Sequence, residues 1–200
     1  MKTLLLAFYS LLIVTICRAE ADAVVGQAAP AFTVNDLDGK PVSLSNYAGK
    51  IVVLEWTNIE CPFVKKHYGS GNIPKLQATY TAKGVVWLSI NSSAPGKQGN
   101  FPVAQIKAQR AAWKAASTDY LTDADGKVGR LYGAKTTPDF FIVDASGVLR
   151  YSGAIDSIPS PDPSDIPQAE NYAAEALDAL LSGQQVKTAS TTPYGCSVKY

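Results

Sequence analysis

Two sulfurs and one imidazole are the side chains whose types and spacing point to chemistry. The 200-residue chain holds three cysteines and a single histidine. Cys61 follows the apolar run Ile51-Val52-Val53-Leu54-Glu55-Trp56 by five residues and directly precedes Pro62. Proline is favoured at the first position of a helix, so Cys61 is expected at a helix cap behind a buried strand. A thiolate there meets unpaired backbone N–H groups and the positive end of the helix dipole, which favour it. Lys65, Lys66 and His67 on the next turn add to that field, whereas Glu60 opposes it. The competing reading is an inert buried thiol. His67 either tunes Cys61 or donates a proton to it, or is simply an exposed helix histidine.

The other cysteines divide by position. Lys2, the apolar stretch from Leu4 to Ile16 and the small residues Ala19, Ala21 and Ala23 read as a secretory signal peptide over residues 1–23. Cleavage is expected after 19, 21 or 23. The apolar stretch is shorter than the ~20 residues of a spanning helix, so no stable membrane anchor is expected after cleavage. A lipoprotein signal ending at Cys17 fits poorly, because bulky Ile16 precedes it. Cys17 then leaves with the leader, and Cys61 and Cys196 remain. An even pair in an exported chain suits a disulfide, permanent or cycling. Two cysteines and one histidine do not close a zinc site, and no metal or other cofactor is expected.

Composition narrows the field further. With 46% hydrophobic and 18% charged residues the chain suits one compact domain, here residues 24–183 followed by a tail over 184–200. Lys plus Arg number 18 against 17 acidic residues, with no basic stripe, which argues against a nucleic-acid partner. Asp123-Ala124-Asp125-Gly126 resembles the start of a calcium loop, but Ala134 stands where the twelfth-place Glu is required. A turn into a short helix over 127–132 is the better reading. Asn91-Ser92-Ser93 is an acceptor sequon only in a host that glycosylates.

The elements that must position Cys61 follow from periodicity. Short strands at Phe32–Val34 and Pro41–Leu44 flank the turn Asp38-Gly39. The run over 51–56 suits a strand buried on both faces, as in a parallel sheet. A helix starts at Pro62, is interrupted over 69–72 and resumes near Pro74. Val85–Ile90 is a second core strand, and 102–116 a helix with Val103, Ile106 and Trp113 on its apolar stripe. Phe140–Val143 and Val148–Tyr151 form a hairpin around Ala145-Ser146-Gly147. A Pro- and Ser-rich loop over 157–167 precedes a last helix, with Ala173, Leu177, Leu180 and Leu181 on one face, stopping at Gly183. Trp56, Trp87 and Trp113 are expected as packing. The order β, α, β, α, hairpin, α specifies an α/β chain with a mixed sheet.

The segment Glu55-Trp56-Thr57-Asn58-Ile59-Glu60-Cys61-Pro62-Phe63-Val64 resembles the active-site segment of the thioredoxin superfamily. Together with Thr136-Thr137-Pro138-Asp139-Phe140, it is similar in particular to the peroxiredoxin-like, redoxin-domain (AhpC/TSA-like) branch of exported proteins. The resemblance implies a thioredoxin-like fold, a central mixed sheet flanked by helices with an N-terminal β-hairpin extension. It also implies roles. Cys61 matches the nucleophilic cysteine of the Cys-x-x-Cys pattern, Glu55 the buried carboxylate that shuttles protons, and Pro138 after Thr137 the cis-proline that holds the substrate backbone. A cis bond before proline is inexpensive.

Two departures qualify this. Val64 replaces the second cysteine of the motif, and the peroxiredoxin pattern finds Asn58 and Leu54 at its Thr and Pro places. Cys196 is expected to supply the missing sulfur. The thirteen residues from Gly183 span about 43 Å when extended, enough to cross the domain back to Cys61. The expected function is a thiol-disulfide oxidoreductase of the periplasm or exterior. Its partners are a protein or small-molecule disulfide and a thiol reductant. The alternatives are a thiol peroxidase and a non-catalytic binding protein stapled by a Cys61–Cys196 disulfide.

Overall fold

The computed structural model describes residues 23–200, so all of the expected leader but Ala23, Cys17 included, lies outside the described residues. The strands are β1 (Thr33–Asp36), β2 (Pro41–Ser43), β3 (Val52–Trp56), β4 (Val86–Asn91), β5 (Asp119–Thr122), β6 (Thr136–Thr137), β7 (Asp139–Val143), β8 (Leu149–Gly153) and β9 (Cys196–Ser197). The helices are α1 (Pro62–Gly69), α2 (Asn72–Thr81), α3 (Val103–Ala112), α4 (Lys127–Tyr132) and α5 (Tyr172–Leu181). Seven strands form one sheet in the order β2-β1-β5-β4-β3-β7-β8, while β6 and β9 pair separately. The β5-β4-β3 centre is parallel and both flanks are antiparallel.

Alternation along β3 builds two cores. Val52, Leu54 and Trp56 face one side, with Val86, Leu88, Ile90, Leu121 and Phe141, and α4 covers them with Val128 and Tyr132. Val53 faces the other side with Trp87, Phe140 and Ile142, beneath Val64 and Tyr68 of α1, Ile73 and Tyr80 of α2 and Leu177 of α5. Each fully buried Val, Leu, Ile or Phe contributes ~1.5–3 kcal/mol. A strand buried on both faces is therefore a stiff base for the loop that follows it. That loop stays tied to the sheet through Thr57 N donating to Ile90 O at 2.8 Å.

The expected α/β architecture is present, with some differences. Strand β5 was not expected. It is only four residues long, and its two fully buried residues are the adjacent Tyr120 and Leu121, so no alternating pattern marks it. It matters because β1 pairs with it, joining the N-terminal hairpin to the main sheet. Helix α3 ends at Ala112, where Lys114 takes a positive φ of 55°. On the expected stripe only Ile106 is buried, Val103 being 42% exposed and Trp113 half-buried. In α5, Ala173 and Leu177 are buried but Leu181 is 38% exposed.

The tail is not an unstructured appendage. Thr191 N donates to Ser152 O at 3.1 Å, Val198 N to Lys135 O at 3.0 Å and Ala94 N to Lys199 O at 2.8 Å. Tyr200 lies so close over α4 that a Cβ at Gly129 would fall 2.5 Å from its hydroxyl. These are main-chain and end-on contacts without side-chain period, which is why hydropathy patterning does not reveal them.

Candidate functional site

Cys61 caps α1, as its position before Pro62 implies, and it is fully buried. Contrary to the expectation, its sulfur makes no capping hydrogen bond with the backbone N–H groups of the first turn; it donates to the carbonyl oxygen of Thr137 at 2.9 Å. A helix N-terminus offers only donors, and a thiol carrying its proton seeks an acceptor. Thr137 precedes Pro138 across a cis peptide bond. The same Thr137 sits opposite Cys196 in the antiparallel β6–β9 pair. The structure thus brings Cys61, Cys196, Thr137 and Pro138 to one place, with both sulfurs as free thiols. Burial, reinforced by the adjacent Cys61 sulfur, pushes the Cys196 thiol up to about 11, so it keeps its proton at neutral pH.

The close approach has a backbone requirement. Gly195 has φ +141°, and a Cβ built there would fall 2.1 Å from Thr137 O. Only glycine lets the tail lie this near. The hydroxyl of Thr137 is buried and makes no hydrogen bond to any described residue.

Glu55 lies on the face of β3 covered by α1 and α2. It accepts from Tyr68 Oη at 2.7 Å, Trp87 Nε1 at 2.7 Å, Gln77 Nε2 at 3.2 Å and Ser89 Oγ at 3.4 Å. None of these partners is a cysteine; Glu55 reaches the site through α1, where Tyr68 lies two turns beyond Cys61. Burial raises its carboxyl above the ordinary value, and the bonds from Trp87, Tyr68 and Gln77 pull the other way. Trp87, expected as packing alone, is also a donor to this carboxylate.

His67 is fully buried rather than exposed. Asn72 Nδ2 lies 2.9 Å from its Nδ1, an arrangement that makes Nδ1 the acceptor and leaves the proton on Nε2. Nε2 is 3.3 Å from the hydroxyl of Tyr194 and 3.8 Å from Asp156 Oδ2. The Tyr194 hydroxyl in turn donates to Asp156 Oδ1. Burial pushes the imidazole down to about 4 against the pull of Asp156, so it is neutral. Lys66 is buried as well, directed at Ile158 O at 3.4 Å and over the Tyr194 ring at 5.9 Å. Both residues therefore hold the tail at Tyr194, two residues before Cys196.

Asp156 and Tyr194 escaped sequence reasoning, since they lie in segments without periodicity. So did Asp139, whose only signal was its place after Pro138. It is buried, accepts from Lys135 N at 2.9 Å, and burial raises it to about 7. Among the described residues no group of three or more His, Cys, Asp or Glu is placed to hold a metal ion.

With this geometry in view, similarity to known proteins becomes informative. The chain is 28% identical over 127 residues to the thiol-disulfide oxidoreductase ResA of Geobacillus thermodenitrificans, covering 63% of this chain and 67% of that one. It spans about two thirds of the length of the curated relatives it matches. A hypothetical protein of Sinorhizobium meliloti superposes with a TM-score of 0.74 at 25% identity, over 90% of this chain and 96% of that one. The thioredoxin domain of a thiol-disulfide oxidoreductase from Bacteroides vulgatus gives 0.52 at 21% identity, over 74% and 97%. The fold is thioredoxin-like. Residues 25–152, the sheet and helices that carry Cys61 and Thr137, match the AhpC/TSA family model, and the chain belongs to that family.

Proposed function

We propose that this protein is an exported thiol-disulfide oxidoreductase in which Cys61 is the nucleophile and Cys196 the resolving thiol. The observation that carries this reading is the register placing Cys196 opposite Thr137, whose carbonyl holds the Cys61 thiol. Cys61 attacks one sulfur of a partner disulfide and releases the other as a thiol. Cys196 then attacks Cys61, releasing the partner's second thiol and leaving a Cys61–Cys196 disulfide. An external thiol reductant restores the pair; run backward, the same steps oxidise a dithiol.

Cys196, kept protonated by its surroundings, is the thiol that waits. Thr137 and Pro138 orient the partner, and Glu55 takes up and returns protons. No metal, nucleotide or haem enters these steps. The similarity to a protein named as a thiol-disulfide oxidoreductase supports the activity. The leader and the retained pair of thiols favour the periplasm or exterior. The peroxidase reading is weakened by Asn58, which stands where a peroxide-orienting hydroxyl is needed and is committed to Glu60 N at 2.9 Å.

Titration in thiol–disulfide buffers, read by mass spectrometry, tests the proposal. The expected product is a Cys61–Cys196 bond with a potential above about −300 mV, and loss of protein-disulfide reduction in Cys61→Ser and Cys196→Ser. A potential well below that value indicates a permanent staple. Rapid turnover of hydrogen peroxide with no disulfide reduction returns the peroxidase.

A further inference from the structure

Cys61 has no exposed surface, and part of its cover is the chain's own C-terminus. Strand β9 occupies the edge of β6, and its flanks are anchored by Tyr194 at Asp156 and by Tyr200 Oη donating to Ala134 O at 2.8 Å. A partner disulfide cannot reach the Cys61 sulfur while β9 is in place. Lifting β9 leaves Lys135 O and the N–H of Thr137 without their strand partners, and such groups are costly until something pairs with them. An extended polypeptide restores those bonds by strand addition; a peroxide or a small disulfide cannot. The tail also shows which polypeptide fits. The residue before the cysteine lies where a Cβ would be 2.1 Å from Thr137 O. The buried Thr137 hydroxyl, unbonded to any described residue, remains available to an incoming strand.

Building on the dithiol reading above, we propose that the partner is an extended polypeptide segment that replaces β9 on β6, its disulfide-bonded cysteine opposite Thr137 and a glycine directly before it. Cys61 attacks that cysteine's sulfur, and the group formerly bonded to it leaves as a thiol. The returning C-terminal strand brings Cys196 to the mixed disulfide. Cys196 attacks Cys61, the partner departs as a thiol, and the strand reclaims the edge. Two electrons pass from the Cys61/Cys196 pair to the partner disulfide, and the two thiol protons end on the two released thiols.

The test uses the reduced full-length chain and a synthetic peptide of its own residues 191–200, the cysteine joined by a disulfide to thionitrobenzoate. Two controls are the same peptide with alanine in place of glycine, and N-acetylcysteinamide carrying the same chromophore. The glycine peptide is expected to release chromophore at least roughly tenfold faster than either control, a difference of ~1.4 kcal/mol in the barrier. Tyr194→Phe, which removes an anchor of the resident strand, is expected to speed all three while preserving their order. Equal rates for the glycine and alanine peptides overturn the strand register while leaving the dithiol reading intact. Failure of every disulfide, the small one included, overturns the dithiol reading itself.

Discussion

Substitution at Glu55 separates a structural carboxylate from a proton carrier. Glu55→Ala strands the Tyr68 hydroxyl, the Trp87 indole N–H and the Gln77 amide, all held in the wild type between 2.7 and 3.2 Å. A buried donor left unpaired costs ~1–3 kcal/mol, so three of them, partly relaxed, cost roughly 4 kcal/mol. That is a large share of the ~5–15 kcal/mol that holds a domain together. Glu55→Gln keeps one oxygen for Trp87 and Gln77 but turns an N–H toward Tyr68 Oη, which already accepts from Gln77, so only the Tyr68 proton loses its acceptor and the loss is ~1–3 kcal/mol. Burial raises the Glu55 carboxyl above 4.5, and the sign follows. A group whose folded value is raised stabilises fully below its unfolded value, and that contribution is lost as pH climbs through the folded one. Glu55→Gln therefore gains on the wild type as pH rises above 4.5. Urea midpoints of the three proteins at several pH values, with slopes compared, measure both effects. Protein-disulfide reduction by Glu55→Gln is expected to slow. A penalty under ~1 kcal/mol for Glu55→Ala refutes the three-donor account, and an unchanged rate for Glu55→Gln removes the proton role.

Two further titrations follow from the buried groups. His67 is the single histidine, so one imidazole NMR signal reports it, with an expected midpoint at about 4. Because its folded value lies below the ordinary 6.5, stability should fall by up to roughly 3 kcal/mol as pH drops from 6.5 toward 4. A midpoint near 6.5 contradicts the burial. Asp139 runs the other way: raised from 3.8 to about 7, it withdraws stability as pH rises between those values. Thermal melts of Asp139→Asn at pH 5 and pH 8 should differ less than those of the wild type, and parallel behaviour of the two proteins rules this out.

Local signals made much of the molecule readable. The β-branched run over 51–56 marked a strand buried on both faces, and Pro62 marked the helix start that puts Cys61 at a cap. Glu55, six residues before Cys61, was identifiable only through the resemblance of its segment to the active-site segment of the thioredoxin superfamily. These features depend on neighbours in the chain, whose spacing patterning reports. The short strand β5 lacked such a pattern because only two adjacent residues of its four are fully buried.

What the amino-acid order determined by itself was the capped position of Cys61 and the α/β class. Tertiary structure alone decided what each thiol meets. Cys61 donates to a carbonyl 76 residues away, Cys196 comes to lie opposite the residue that supplies that carbonyl, and His67 secures the tail. Those outcomes depend on main-chain pairing at Thr137 and on a glycine able to lie against it. Contacts between backbone groups distant in sequence leave no period in the side chains, so only folding reveals them.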